Sequence, residues 1–170
     1  MGFRSRFWCG CLLLVATAGM WQGGQGQERE LLSLNMGDLC GKANYPVLCR
    51  SMVKGLSNPS VALESAIRQL MLQTKMARTT ARRLRKSPGM EVCSETYQDA
   101  FSNLKTCLST LKTGDKPTLN INLSAALTDY VTCDDAVAER GSTSPVTRTN
   151  LTLRQMATNC LYLSSLIGVR

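Results

Sequence analysis

The stretch Cys93–Asp135, CSETYQDAFSNLKTCLSTLKTGDKPTLNINLSAALTDYVTCDD, decides the fold. In its first half, Cys93, Tyr97, Ala100, Phe101, Leu104, Cys107, Leu108 and Leu111 recur three or four residues apart, which gathers them on one face of an α-helix. Glu95, Asp99 and Ser102 fall off that face and are expected in solvent. The helix is predicted to start near Val92 and to stop at Gly114. A short Gly-Asp-Lys-Pro turn follows. The next helix is predicted to begin after Asn120 or Asn122, both good N-caps. It turns Leu123, Leu127, Tyr130 and Val131 inward and runs to Gly141. Two amphipathic helices joined by so short a turn are antiparallel neighbours, with a cysteine near each outer end.

Upstream, Asn58-Pro59-Ser60 combines a capping side chain with proline at the first helical position. Leu63, Ile67, Leu70, Thr74, Ala77, Ala81 and Leu84 then form a bundle-type stripe. Lys75, Arg78, Arg82 and Arg85 repeat its rhythm one position later, and Ser87-Pro88-Gly89 ends the helix. Downstream of Gly141, a Ser/Thr-rich loop with Pro145 leads to a last helix showing Leu153, Met156, Cys160, Leu163 and Ile167 on one face. Four long helices with short links predict an all-α chain, an antiparallel up-and-down four-helix bundle over about residues 59–168. Before it, Leu39–Lys54 carries Cys40 and Cys49 around Tyr45-Pro46 and reads as a short helical hairpin over about 37–57. No stretch alternates like a strand, and no repeat is visible.

Residues 1–27 read as a secretory signal: Arg4 and Arg6 supply the positive start, and Cys9–Met20 the apolar core. That run is short for a bilayer span. The chain from Glu28 is expected to be one soluble, secreted domain over 28–170, located in the extracellular space. Of the 8 cysteines, Cys9 and Cys11 leave with the signal. Cys40, Cys49, Cys93, Cys107, Cys133 and Cys160 remain, and an oxidising compartment favours disulfides among them. Spacing alone leaves every pairing open.

The chain contains 0 histidines. This excludes a Ser-His-Asp or Cys-His site and a histidine general base. Cysteine spacing does not suit zinc. Asp134 and Asp135 are adjacent, so on a helix they diverge by about 100° and cannot face one substrate atom. No enzyme activity, cofactor or metal is expected. The net charge is +8, or +6 without Arg4 and Arg6, with six cations between Lys75 and Lys86. Such a balance suits an acidic polysaccharide or an acidic protein partner. With few aromatics, the chain does not read as a nucleic-acid binder, and no later segment is apolar enough for a membrane.

The C-x8-C unit around Tyr45-Pro46, the CSETYQDAFSNL block and the LNINLSAALTDYVTCDDAV block stand in that order, and together they resemble the plant invertase and pectin methylesterase inhibitor family. The third block is the most specific, because Ser124-Ala125-Ala126-Leu127 precedes Thr132-Cys133 at the family spacing. The resemblance covers essentially the whole chain after the signal. It implies a four-helix bundle with an N-terminal hairpin, a hairpin disulfide Cys40–Cys49, and a second bridge, Cys93–Cys133, between neighbouring helices. Cys107 and Cys160 lie outside the family pattern. They sit on apolar faces of diagonal helices and are expected as buried free thiols.

Two branches of that family inhibit different enzymes. The LNINLSAAL…TC wording looks like the branch directed at pectin methylesterase. The invertase-directed branch carries a Pro-Lys-Phe tip where this chain has Lys116-Pro117-Thr118, which makes acid invertase the alternative target. The chain ends soon after Ile167 with no catalytic domain behind it, so a free-standing inhibitor is expected over an esterase pro-region. The resemblance implies steric inhibition in a one-to-one complex, with the second and third bundle helices across the esterase cleft. Carried over, the partner-binding residues are Glu95, Asp99, Asn120, Thr132 and Asp135. Sequons at Asn122-Leu123-Ser124 and Asn150-Leu151-Thr152 are candidate N-glycosylation sites. Weak binding to acidic pectin through the basic run is a further expectation.

Overall fold

The structure, a computed structural model, describes residues 38–139 and 146–168. The signal segment, Cys9 and Cys11, Gly141 and Pro145 lie outside the described residues. Five helices are present among those described: α1 (Pro46–Val53), α2 (Pro59–Arg83), α3 (Met90–Thr113), α4 (Lys116–Ala138) and α5 (Thr147–Ser165). The four long ones form an antiparallel bundle. Each packs on its chain neighbours, and α5 closes the ring against α2. No Cα of α3 comes within 8 Å of one in α5, nor any of α2 near one of α4. No helix among the described residues is long and apolar enough to cross a membrane.

Local chemistry sets each boundary. Asn58 caps α2 by accepting from the backbone N–H groups of Ser60 and Val61 at 3.0 and 3.1 Å, with Pro59 just inside the helix. Asp115 caps α4 by accepting from Thr118 N–H at 3.1 Å, and Lys116 and Pro117 form its first turn. The third bundle helix therefore begins several residues before the start predicted at Asn120 or Asn122. Both asparagines sit inside it, because Asp115 is the cap actually used. Gly114, at φ 76°, ends α3, and the link from α3 to α4 is only Gly114 and Asp115. Gly89 has φ 79°, and a Cβ there would meet the carbonyl oxygen of Ala136 at 2.7 Å. Rather than ending α2, which stops at Arg83, Gly89 opens α3 and lets its first turn lie against the backbone of α4.

The α1 segment is a lid on one flank of the bundle. Its disulfide joins Cys40, in a turn, to Cys49 in α1, with Cα atoms 5.7 Å apart. Between residues 38 and 57 there are turns and a single helix, where two helices were predicted. Asp38 accepts from Arg50 Nη2 at 2.8 Å and from Cys40 N–H at 3.0 Å, closing the same turn. Asn159 of α5, fully buried, holds the lid by two bonds: its Oδ1 accepts from Tyr45 N–H at 3.3 Å and its Nδ2 donates to Tyr45 C=O at 3.0 Å. Ser65 and Gln69 of α2 donate to Met52 C=O at 2.9 and 3.0 Å.

The core is the expected set of stripes, with Leu63, Ile67, Leu70, Leu104, Leu123, Leu153 and Leu163 fully buried. One polar thread crosses it. The Tyr130 hydroxyl of α4 bonds Thr74 Oγ1 of the diagonal helix α2 at 2.6 Å, and Thr74 also donates to Leu70 C=O at 2.8 Å. The backbone carbonyl of Tyr130 accepts from Asn150 Nδ2 of α5 at 2.5 Å. Tyr97 of α3 packs on Tyr130, ring centroids 6.2 Å apart and tilted by 49°. All four side chains are fully buried.

Removing the hydroxyl with Tyr130→Phe strands part of Thr74 in an apolar core. The expected loss is about 1–2 kcal/mol of unfolding free energy by urea titration, with the fold kept. An unchanged midpoint would refute the role given to the thread. Cys107 and Cys160 are free and buried. Burial pushes the Cys107 thiol up to about 12 and raises the Cys160 thiol further. In the oxidised chain starting at Glu28, alkylation should label no thiol in the native state and two after unfolding without reductant. A count of zero after unfolding would reveal a third bridge.

Candidate partner-docking surface

Helices α3 and α4 form the most closely packed pair in the bundle. The Cys93–Cys133 disulfide joins them with Cα atoms 4.5 Å apart, so the start of α3 and the end of α4 are level. The Tyr97 hydroxyl lies 3.4 Å from the Cys133 sulfur, and Asn103 Nδ2 donates to Asp129 Oδ2 at 2.9 Å further along the seam. The pair thus presents one outer wall, pinned at its bridged end and along its seam.

Glu95 and Asp99 stand exposed on that wall, one turn apart on α3. Thr132 and Asp135 stand exposed near the end of α4. The disulfide brings these four to the same end of the bundle. Thr132 Oγ1 donates to Thr128 C=O at 3.1 Å, which leaves its oxygen lone pairs open outward. Asn120 is not among them. It is half-buried, and its Oδ1 accepts from Ser164 Oγ of α5 at 2.6 Å. It sits twelve residues before Thr132, roughly 18 Å along the helix. Placing it at the helix start gave it a freedom it does not have: it is an internal α4–α5 tie.

The two sequons differ in the same way. Asn150 is fully buried with its Nδ2 bonded to Tyr130, so this fold has no room for a glycan there, contrary to the sequence expectation. Asn122 is half-buried, and its Nδ2 donates to Thr118 C=O at 2.8 Å. Both lie within helices, where Asn-x-Ser/Thr carries no information about which way the amide faces.

Sequence reasoning missed three features of the wall. Asp129 is half-buried beside Asp99. Burial, then the Asp99 charge, raise its carboxyl above the ordinary value against the pull of the Asn103 bond. Ile121 is 68% exposed on α4, a large apolar side chain off the core stripe and suited to anchor a partner. It was legible only once the true start of α4 was known. Third, Arg82, Arg83 and Arg85 share an open cleft with Glu91, Ser94 and Glu95 at the α2–α3 end. No group of three His, Cys, Asp or Glu among the described residues is placed to hold a metal.

The two helices thus offer a stiff, polar wall with a large apolar side chain exposed on it. The family model for plant invertase/pectin methylesterase inhibitor matches residues 35–163. The chain belongs to the plant invertase/pectin methylesterase inhibitor family. Members of this inhibitor family are inhibitors and not enzymes. A protein from Platanus orientalis named "Putative invertase inhibitor" is 36% identical over 77 residues, 45% of each chain. "Pectinesterase inhibitor 12" of Arabidopsis thaliana is 41% identical over 61 residues, 36% of this chain and 35% of that one. These matches span less than half the length of either relative. The crystal structure of a mutant form of a pectin methylesterase inhibitor from Arabidopsis superposes with a TM-score of 0.70 at 20% identity, over 78% of this chain and 96% of that one. A second pectin methylesterase inhibitor structure, from Arabidopsis thaliana, gives 0.62 at 20% identity, over 80% and 97%. At that identity they bear on the fold alone.

The raised Asp129 carboxyl makes a signed prediction for this inhibitor-family wall. A carboxyl that binds its proton more tightly in the folded state favours folding fully below the unfolded value of about 3.9, and that benefit is lost as pH rises through the folded value. Asp129→Asn should therefore be more stable than the parent at pH 7, with the gap closing near pH 3.5. A gap that is constant or widens towards acid in urea titrations would contradict the assignment.

Proposed function

We propose that this inhibitor-family chain is secreted and blocks a pectin methylesterase in a one-to-one complex, laying α3 and α4 across the enzyme's pectin-binding cleft. The observation that carries the reading is the α3–α4 wall, cross-linked at Cys93–Cys133, with Glu95, Asp99, Thr132 and Asp135 exposed together at its bridged end. Inhibition on this reading is steric: the wall occupies the groove and excludes the polymer. A surface fixed by a disulfide and by the Asn103–Asp129 bond loses little conformational entropy on docking, which favours tight association. Ile121 supplies the apolar contact, and the acids and Thr132 form the polar rim. Asn120 supports the wall from behind by tying α4 to α5. The bundle needs no cofactor for this role. Residues 1–27 are proposed as the signal that directs the chain to the cell wall space, where such an enzyme would meet it. A glycan on Asn122 would project beside the wall, so the reading requires Asn122 unoccupied or its glycan turned aside.

The second reading is an acid invertase as the target. It is favoured by the Platanus relative, whose name refers to invertase. Against it stands the first turn of α4, Lys116-Pro117-Thr118, which lacks the aromatic tip implied for invertase recognition.

Side-by-side titration of the purified, oxidised protein against a pectin methylesterase and an acid invertase separates the two. Stoichiometric loss of methylesterase activity is expected, with invertase unaffected; the reverse result would transfer the target. Asp99→Arg and Thr132→Arg should each weaken inhibition by about tenfold or more, since a charge misplaced in an interface costs a few kcal/mol. Their melting temperatures should stay near the parent's. Full inhibition by the double variant would move the interface off this wall.

A further inference from the structure

We propose that the C-terminal half of α2 and the loop after it form a second binding face, one that takes a polysaccharide bearing carboxylates along its length, such as pectin whose methyl esters have been removed. Residues 65–90 contain no Asp or Glu, yet they carry Arg68, Lys75, Arg78, Arg82, Arg83, Arg85 and Lys86. Only Arg68 of these seven is paired, with Glu64 at 2.6 Å. The side chains of the six from Lys75 to Lys86 make no ion pair or hydrogen bond with the described residues, and Lys75, Arg82, Arg83, Arg85 and Lys86 are exposed. Arg78 is half-buried, and its Nε is shielded from water without an acceptor, so one guanidinium of the strip is partly desolvated and uncompensated.

The helix dipole does not account for this run. It rewards cations in the last turn, here Arg82 and Arg83, and its effect fades within that turn. Lys75 and Arg78 lie further back, and Arg85 and Lys86 lie beyond the helix. From Lys75 to Arg83 the strip is about 12 Å long at 1.5 Å per residue, and the loop extends it. That length suits several successive charges on a polymer better than a single small anion. Leu72 and Met76, 58% and 56% exposed and one turn apart, flank it with apolar surface for the C–H faces of sugar rings. The strip ends in the cleft where Arg82, Arg83 and Arg85 meet Glu91, Ser94 and Glu95, at the border of the α3–α4 wall.

The choice of polymer rests on the methylesterase reading: removing methyl esters turns a neutral polymer into a polycarboxylate, so a polyanion accumulates wherever the target enzyme has been active. An inhibitor with a basic face opposed to that product would gather where de-esterification has already occurred.

The test uses the full oxidised protein and polygalacturonate, with no enzyme present. Binding is expected at about 0.05 M salt and should be largely lost at about 0.5 M, where screening reaches a few ångströms. The triple variant Lys75→Gln, Arg78→Gln, Lys86→Gln should bind about tenfold or more weakly. A control of equal net charge, Lys42→Gln, Lys54→Gln, Lys112→Gln, should bind like the parent, and fully methyl-esterified pectin should not bind. Equal weakening of both variants would reduce the effect to net charge and overturn the proposal, as would binding by the strip variant at parental strength. Salt-sensitive self-association in light scattering, abolished by the strip variant, would assign the face to a second copy and overturn it too. Methylesterase inhibition is measured separately on esterified pectin, and the strip variant should inhibit like the parent. Loss of inhibition there would place the strip in the enzyme interface and also overturn the proposal. Failure of the parent to inhibit would sink the function proposed above while leaving the retention result standing.

Discussion

The polar thread from Thr74 through Tyr130 to Asn150 is the constraint on which the bundle's register rests. Apolar stripes alone tolerate sliding of one helix past another, since Leu against Leu is nearly as good one turn along. A buried hydroxyl that must meet Thr74, and a buried amide that must meet one particular carbonyl, do not tolerate it, because each displaced partner would carry a desolvation cost of about 1–3 kcal/mol. The thread reaches across the diagonal, from α4 to α2, and sideways to α5. Three of the four long helices are thereby aligned by hydrogen bonds and the fourth, α3, by the disulfide to α4 and the Tyr97–Tyr130 contact.

The α3–α4 wall inherits this alignment. Because α4 is pinned from inside at Tyr130, Thr132 and Asp135 have fixed heights, and because Cys133 is bonded to Cys93, so do Glu95 and Asp99. Exposed residues are thus held in a constant pattern by buried ones. On the proposed function, specificity would lie in the spacing of ordinary side chains on a stiff support.

Much of this was legible in the sequence. The stripes of α2, α3 and α5 were readable because long helices repeat their apolar positions several times, and the repetition overrides local ambiguity. The family resemblance supplied the inhibitor reading, which periodicity alone could not have supplied. The start of α4 was misread because Asn120 and Asn122 are strong caps in isolation, whereas Asp115 wins by sitting two residues before Pro117 with Thr118 in reach. The same slip hid Ile121 and gave Asn120 a surface role. Asn150 read as a glycosylation site because a sequon records only three residues, while its burial depends on a carbonyl twenty residues away. Asn159, which clamps the lid, stood on a face already counted as apolar and gave no signal that its partner was Tyr45.

The two cross-links are consecutive along the chain, neither enclosing the other: one spans Cys40 to Cys49, the next Cys93 to Cys133. Neither fastens α1 to the bundle, and neither reaches α2 or α5. An oxidised chain opened by heat therefore frees its lid and its two outer helices, while the ends of α3 and α4 stay tethered. The loop-closure entropy of that hairpin, about 4 kcal/mol, was spent when the bridge formed. Re-formation of the native state would then start from the very pair proposed to face the partner, with the remaining helices condensing onto it.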